Sequence, residues 1–130
     1  MMNLRRVRHC IGFTLIELLV VMAIIATLLT LAVPRYFNSL EKSKEAVLRQ
    51  DLATMRDAID KYVADKGKYP ESLESLAEEK YLRRIPVDPL TDLSDSWLTS
   101  SPDDQTLGGV SDVHSGAEGQ SHDGTAYGEW

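Results

Sequence analysis

Glu17 is the only charged residue in a 21-residue apolar run, Phe13 to Val33, FTLIELLVVMAIIATLLTLAV. A carboxylate at mid-bilayer costs about 2.5–3.5 kcal/mol, less near the interface, so Glu17 calls for a partner. A second concentration of reactive types is Ser111 to Asp123, SDVHSGAEGQSHD. Oxygen-bearing side chains and glycines without cysteine suit a hard cation such as Ca²⁺ far better than Zn²⁺. Asp112, Ser115, Glu118 and Asp123, with loop carbonyls and water, are the candidate ligands. The plain alternative is a solvated acidic loop. His114 and His122 lack a rigid i,i+4 pairing and read as ordinary loop histidines. Serine, histidine and aspartate are all present, but neither G-x-S-x-G nor H-E-x-x-H occurs, and no enzyme chemistry is expected.

The elements that carry these residues follow from hydropathy and charge. A 21-residue helix spans about 31 Å, the thickness of a bilayer core. That is longer than the apolar stretch of a secretory signal, and Pro34-Arg35-Tyr36 is no small-x-small cleavage site. Arg5, Arg6 and Arg8 precede the run. The positive-inside rule therefore places the N-terminus in the cytoplasm and exports the remainder. The formal net charge is −6, from 14 Lys+Arg and 20 Asp+Glu. All the basic residues lie within residues 1–84, whereas 85–130 hold nine acidic residues. Binding nucleic acid by phosphate neutralisation is not expected of such a chain. Cys10, the single cysteine, allows no internal disulfide.

Pro34 lacks an N–H and crowds the carbonyl of Thr30, which predicts a kink. Beyond it, Arg35 to Lys66 contains no glycine and no further proline. Leu48, Leu52, Met55, Ile59 and Tyr62 recur at spacings of 4, 3, 4 and 3, one face of a helix. Glu41, Lys42, Lys44, Glu45, Arg49, Arg56, Asp57, Asp60 and Lys61 occupy the other faces and read as solvated. Glu45→Arg49 and Asp57→Lys61 are favourable i,i+4 pairs. Gly67 suits the helix C-cap. A helix from Phe13 to Lys66 would be about 80 Å long. Its outer half must hold a small domain, residues 67–130, on the apolar stripe. In that domain Pro70 suits the start of a short helix, Glu71 to Glu79, with Leu73, Leu76 and Ala77 inward. Leu93–Thr99, Val110–His114 and Ala126–Trp130 are the candidate strands of a small antiparallel sheet. The fold class is α+β.

Gly12-Phe13-Thr14-Leu15-Ile16-Glu17, placed after a short basic leader, resembles the signature of the type IV pilin and pseudopilin superfamily. The resemblance implies a pilin-like fold and a prepilin peptidase that cuts between Gly12 and Phe13. It also implies N-methylation of Phe13 as the new N-terminus. Glu17 would then neutralise the Phe13 amine of a neighbouring subunit in an apolar filament core and set the stagger between subunits. Residues 1–12 become a cleaved leader, 13–33 the transmembrane and filament-core segment, 34–66 the periplasmic half of the helix. The remaining 118 residues carry 11 basic and 20 acidic side chains, net −9, and no cysteine. Many fibre-forming pilins close a C-terminal loop with a disulfide, so its absence points towards a pseudopilin.

Lys68-Tyr69-Pro70 and Tyr81-Leu82-Arg83-Arg84-Ile85-Pro86-Val87-Asp88-Pro89 are similar to the major pseudopilins of type II secretion systems. Leu90 stands where that family often has tryptophan. The resemblance implies a homopolymer, a short periplasmic pseudopilus assembled in the bacterial inner membrane. Its implied partners are copies of itself, minor pseudopilins, the inner-membrane assembly platform, the peptidase and the membrane, with no nucleic acid. It also implies Ca²⁺ in a C-terminal loop patterned D-x-x-S-x-G-x-D-G. Here D-V-H-S-G-A-E-G is one residue shorter, and Glu118 replaces the aspartate. A pilin of another type IV-like filament, for adhesion, motility or DNA uptake, is the alternative. A membrane-anchored monomeric binding module is the third reading.

Overall fold

A computed structural model of the chain describes residue 2 and residues 11–130. Arg5, Arg6, Arg8, Cys10 and most of the expected leader lie outside the described residues. The chain divides into two compact units, residues 1–38 and 39–130.

In the first unit, helix α1 (Leu15–Lys66) begins two residues later than the apolar run suggests. Thr14 and Glu17 cap it reciprocally. The Glu17 backbone N–H donates to Thr14 Oγ1 at 3.2 Å, and the Thr14 N–H donates to Glu17 Oε2 at 3.0 Å. This capping box satisfies two N–H groups that the first turn leaves without helical partners. Thr27 and Thr30 return their hydroxyls to the carbonyls of Ala23 and Ala26, so neither presents an unmet donor to an apolar surrounding. Pro34 lies inside α1, with helical residues on both sides.

In the second unit, the expected apolar stripe is the core. Leu48, Leu52, Met55, Ile59 and Tyr62 are buried, together with Ala58. Against them pack Leu73, Leu76, Leu82, Trp97, Val110 and Val113. Gly67 ends α1 at φ 73°, and its N–H donates to Val63 O at 2.8 Å, as a C-cap requires.

The short helix α2 (Leu73–Glu78) is narrower than the expected Glu71–Glu79, and Pro70 does not start it. Ser72 is the cap, accepting from the Ser75 N–H at 3.3 Å. The proline is committed elsewhere: its carbonyl accepts from the Val110 N–H at 2.9 Å. There the Tyr69–Glu71 backbone lies against Gly108-Gly109. A Cβ on Gly109 would come within 2.8 Å of Glu71 O, and one on Gly108 would collide with Tyr69 O. The two glycines are backbone contacts as well as spacers.

Of the three expected strands, two form, and both are shorter. Strand β1 (Leu98–Ser100) pairs antiparallel with β2 (Asp112–His114), Thr99 facing Val113. Residues 93–97 are lost to β1 because the preceding chain is held in a turn by Asp88. The Asp88 N–H donates to Leu93 O, and its carboxylate accepts from the Leu90 N–H at 2.8 Å. Trp97 is then buried with its indole N–H on Pro86 O, 2.8 Å away.

Ala126–Trp130 is not a strand. Only an antiparallel bridge, Gln120 to Ala126, precedes a 3₁₀ turn at Tyr127–Glu129. A strand would send Tyr127 and Trp130 to opposite faces, whereas three residues per turn puts them on one side. Their rings meet edge to face at 5.2 Å between centroids.

Candidate functional site

Two segments carry the functional residues. In the first, Gly12 is exposed, and a Cβ built on it meets nothing within 4 Å. The chain's own packing makes no demand for glycine there. Phe13 is 85% exposed, and every residue from 11 to 43 is exposed. Glu17 is exposed too, and its carboxylate already accepts a backbone hydrogen bond one helical turn from Phe13. An amine created at Phe13 would lie four residues from it in sequence.

The second segment is the C-terminal loop, and its anchor is one edge of α1. Glu45, Arg49 and Arg56 are separated by 4 and 7 residues, about one and two helical turns, so they form a stripe beside the apolar one. The expectation that these charges are merely solvated fails. Glu45 is only 4% exposed. It accepts from the His122 N–H at 3.0 Å, from the Tyr127 hydroxyl at 3.1 Å and from the His122 ring. Burial alone would raise its carboxyl, but these bonds outweigh burial and hold it below the usual range. Its oxygens go to the loop rather than to Arg49, so the expected Glu45–Arg49 pair gives way to a tertiary one. Asp57–Lys61 does form, at 3.0 Å.

The Arg49 guanidinium lies over the Trp130 ring, 3.9 Å from its centroid, and 3.6 Å from Asp123 Oδ2. Arg56 donates from Nε to Asp112 Oδ1 at 2.8 Å and from Nη2 to Val113 O at 2.9 Å and to Trp130 O.

The four expected Ca²⁺ ligands are not brought together. Asp112 is on β2, bound by Arg56 and by the Val113 N–H. Burial opposes its charge, but these two donors bring its carboxyl below the usual range. Asp123 accepts from the Ser121 hydroxyl and from the hydroxyl and N–H of Thr125, which drive its carboxyl far below that range. Ser115 is buried and donates to Asp88 Oδ2 at 2.5 Å. Glu118 is exposed. Among the described residues, no three His, Cys, Asp or Glu side chains gather to hold a metal ion. A Ca²⁺ ion needs about six to eight converging oxygens, and this arrangement does not fit one.

Sequence reasoning missed two carboxylates, one buried and one half-buried. Asp88 is fully buried, and Asp51 on α1 has a buried Oδ2 without a hydrogen-bond partner. Burial, then the nearby Asp88 charge, raises the Asp51 carboxyl above its ordinary value. Asp88-Pro89 signals a turn in the sequence, but nothing local reveals that the aspartate faces inward.

Residues 7–33 match the prokaryotic N-terminal methylation motif. The chain is 30% identical to the type II secretion system core protein G of Vibrio cholerae serotype O1 over 133 aligned positions, covering 90% of this chain and 87% of that protein. It is 35% identical over 94 residues to the protein of that name from Escherichia coli K12, covering 60% of this chain and 65% of the relative. For the Pseudomonas aeruginosa protein the figures are 33% over 94 residues, 60% and 66%. The chain thus spans slightly less than two thirds of the E. coli and P. aeruginosa relatives. No solved structure shows a significant match.

Proposed function

The chain belongs to the family of type II secretion system core protein G, and from that premise we propose that it is a structural subunit of a periplasmic pseudopilus that drives protein export. One α1 segment is long and apolar enough to cross a membrane. With the methylation motif, this fits a protein anchored in the inner membrane. In our reading the anchor is single-pass, with the N-terminus cytoplasmic and the C-terminal domain periplasmic.

The observation that carries the proposal is the exposure of every residue from 13 to 33, an apolar run whose one charge is the carboxylate of Glu17. An apolar helical surface of that length requires lipid before assembly and other helices after it. A prepilin peptidase cuts after Gly12, and the new Phe13 amine is methylated. In the filament, Glu17 of one copy accepts the Phe13 amine of a neighbour. Charge neutralisation in an apolar core favours one axial stagger over its alternatives. Minor pseudopilins and the inner-membrane assembly platform are the remaining partners. The subunit works by polymerising, not by catalysis.

Deletion of the gene followed by a survey of secreted proteins tests this reading. Exoproteins should accumulate in the periplasm and return to the medium on complementation. An unchanged set of secreted proteins would overturn it, and loss of adhesion, motility or DNA uptake instead would identify another type IV-like filament.

A further inference from the structure

We propose that the C-terminal loop is fastened to α1 by the chain's own Glu45, Arg49 and Arg56, in place of a bound metal ion. All three fasteners lie on one edge of the helix, and between them they hold β2, the loop and the C-terminal turn. Glu45 holds His122 and Tyr127. Arg49 holds Asp123 and the face of Trp130. Arg56 holds Asp112 on β2, Val113 O and Trp130 O, so a single guanidinium joins β2 to the C-terminal turn.

A cation would do the same work: neutralise loop carboxylates and tie distant carbonyls together. Two of the three carboxylates expected to bind it are paired with guanidiniums. Asp123 in addition has Ser121 and Thr125 as donors. A metal at Asp123 would have to displace these donors and Arg49, and it would still find Asp112 held by Arg56. The guanidinium is covalently attached and permanently charged, so its grip does not depend on the free concentration of an ion, as metal linkage does.

The test uses the full-length chain in detergent micelles, with Trp97 and Trp130 fluorescence reporting thermal unfolding. The unfolding midpoint should coincide in chelator and in millimolar CaCl₂, and calorimetric titration with CaCl₂ should give no saturable heat. Arg49→Met and Arg56→Met keep an apolar stem but remove the charge. Each should lower the midpoint by about 4–8 °C, with no recovery on adding CaCl₂. Lys61→Met, which breaks the exposed pair with Asp57, should shift it far less. A rise of the unsubstituted chain's midpoint with CaCl₂, a one-site binding heat, or both arginine variants melting like the parent would overturn the proposal.

Discussion

Residues 11–43 and the stripe from Glu45 to Tyr62 lie largely on the same helix, yet they end in opposite circumstances. In the first stretch every side chain is exposed, and its apolar residues find no cover within the chain. In the second, Leu48 and Met55 are fully buried and Glu45, a carboxylate, is buried with them. The difference lies in where the partners are. Within the first stretch, the apolar run from Phe13 to Val33 carries one charge, and only lipid or other helices can cover it. A stripe of apolar residues edged by charge is completed by 64 residues of the same chain, from 67 to 130.

The largest effects should come from the first stretch and should be all-or-none. Gly12→Val places a branched side chain where the peptidase must approach the backbone. Mass spectrometry of the membrane form should show only the uncut chain, and a product starting at N-methylated Phe13 would break the assignment. Glu17→Val makes the run more apolar, so insertion and cutting should persist while filament yield in sheared fractions falls to background. Normal yield would show that the Phe13 amine needs no such partner. Neither substitution should move the unfolding midpoint of residues 39–130.

The second stretch should show graded losses. Leu48→Ala leaves a cavity in the core and should cost about 2–5 kcal/mol in denaturant unfolding. Leu28→Ala, in the exposed stretch, should cost the same transition nothing measurable. Equal effects would erase the contrast between the regions.

Acidification supplies a smaller effect with a definite sign. Glu45 is held below the ordinary 4.5, so its contribution is present above that pH and lost as pH falls below it, through its native value. Glu45→Gln should lower the midpoint at pH 7 and flatten its decline on acidification, a loss of about 1–3 kcal/mol. A parallel decline in both proteins would assign the acid sensitivity elsewhere.

Asp51 should show the reverse, and least. Its carboxyl is raised, so its charge opposes folding: the neutral form favours the native state at low pH, and that advantage is lost as pH rises through the native value. Asp51→Asn should raise the midpoint slightly at pH 7. A decrease would show that the buried Oδ2 has a partner worth keeping.

By itself the sequence determined the apolar run that α1 carries and the stripe from Leu48 to Tyr62. These are properties of neighbours along one helix, and a fixed period of 3.6 residues converts spacing into faces. It also marked the Gly67 cap, since only a left-handed residue ends a helix in that way cheaply.

Tertiary structure decided the rest. Glu45, Arg49 and Arg56 resemble any solvated charges until His122, Asp123, Asp112 and Trp130 return to them from 56 to 81 positions away in the sequence. The expected cation ligands have the right chemistry, but spacing along a loop does not fix which donors the folded chain will place beside them. Ala126–Trp130 has the composition of a strand, yet bringing Tyr127 and Trp130 to the same side of the chain selected a 3₁₀ turn. Short, weakly periodic segments have too little local preference to resist such contacts, whereas α1 carries its preference in 52 residues.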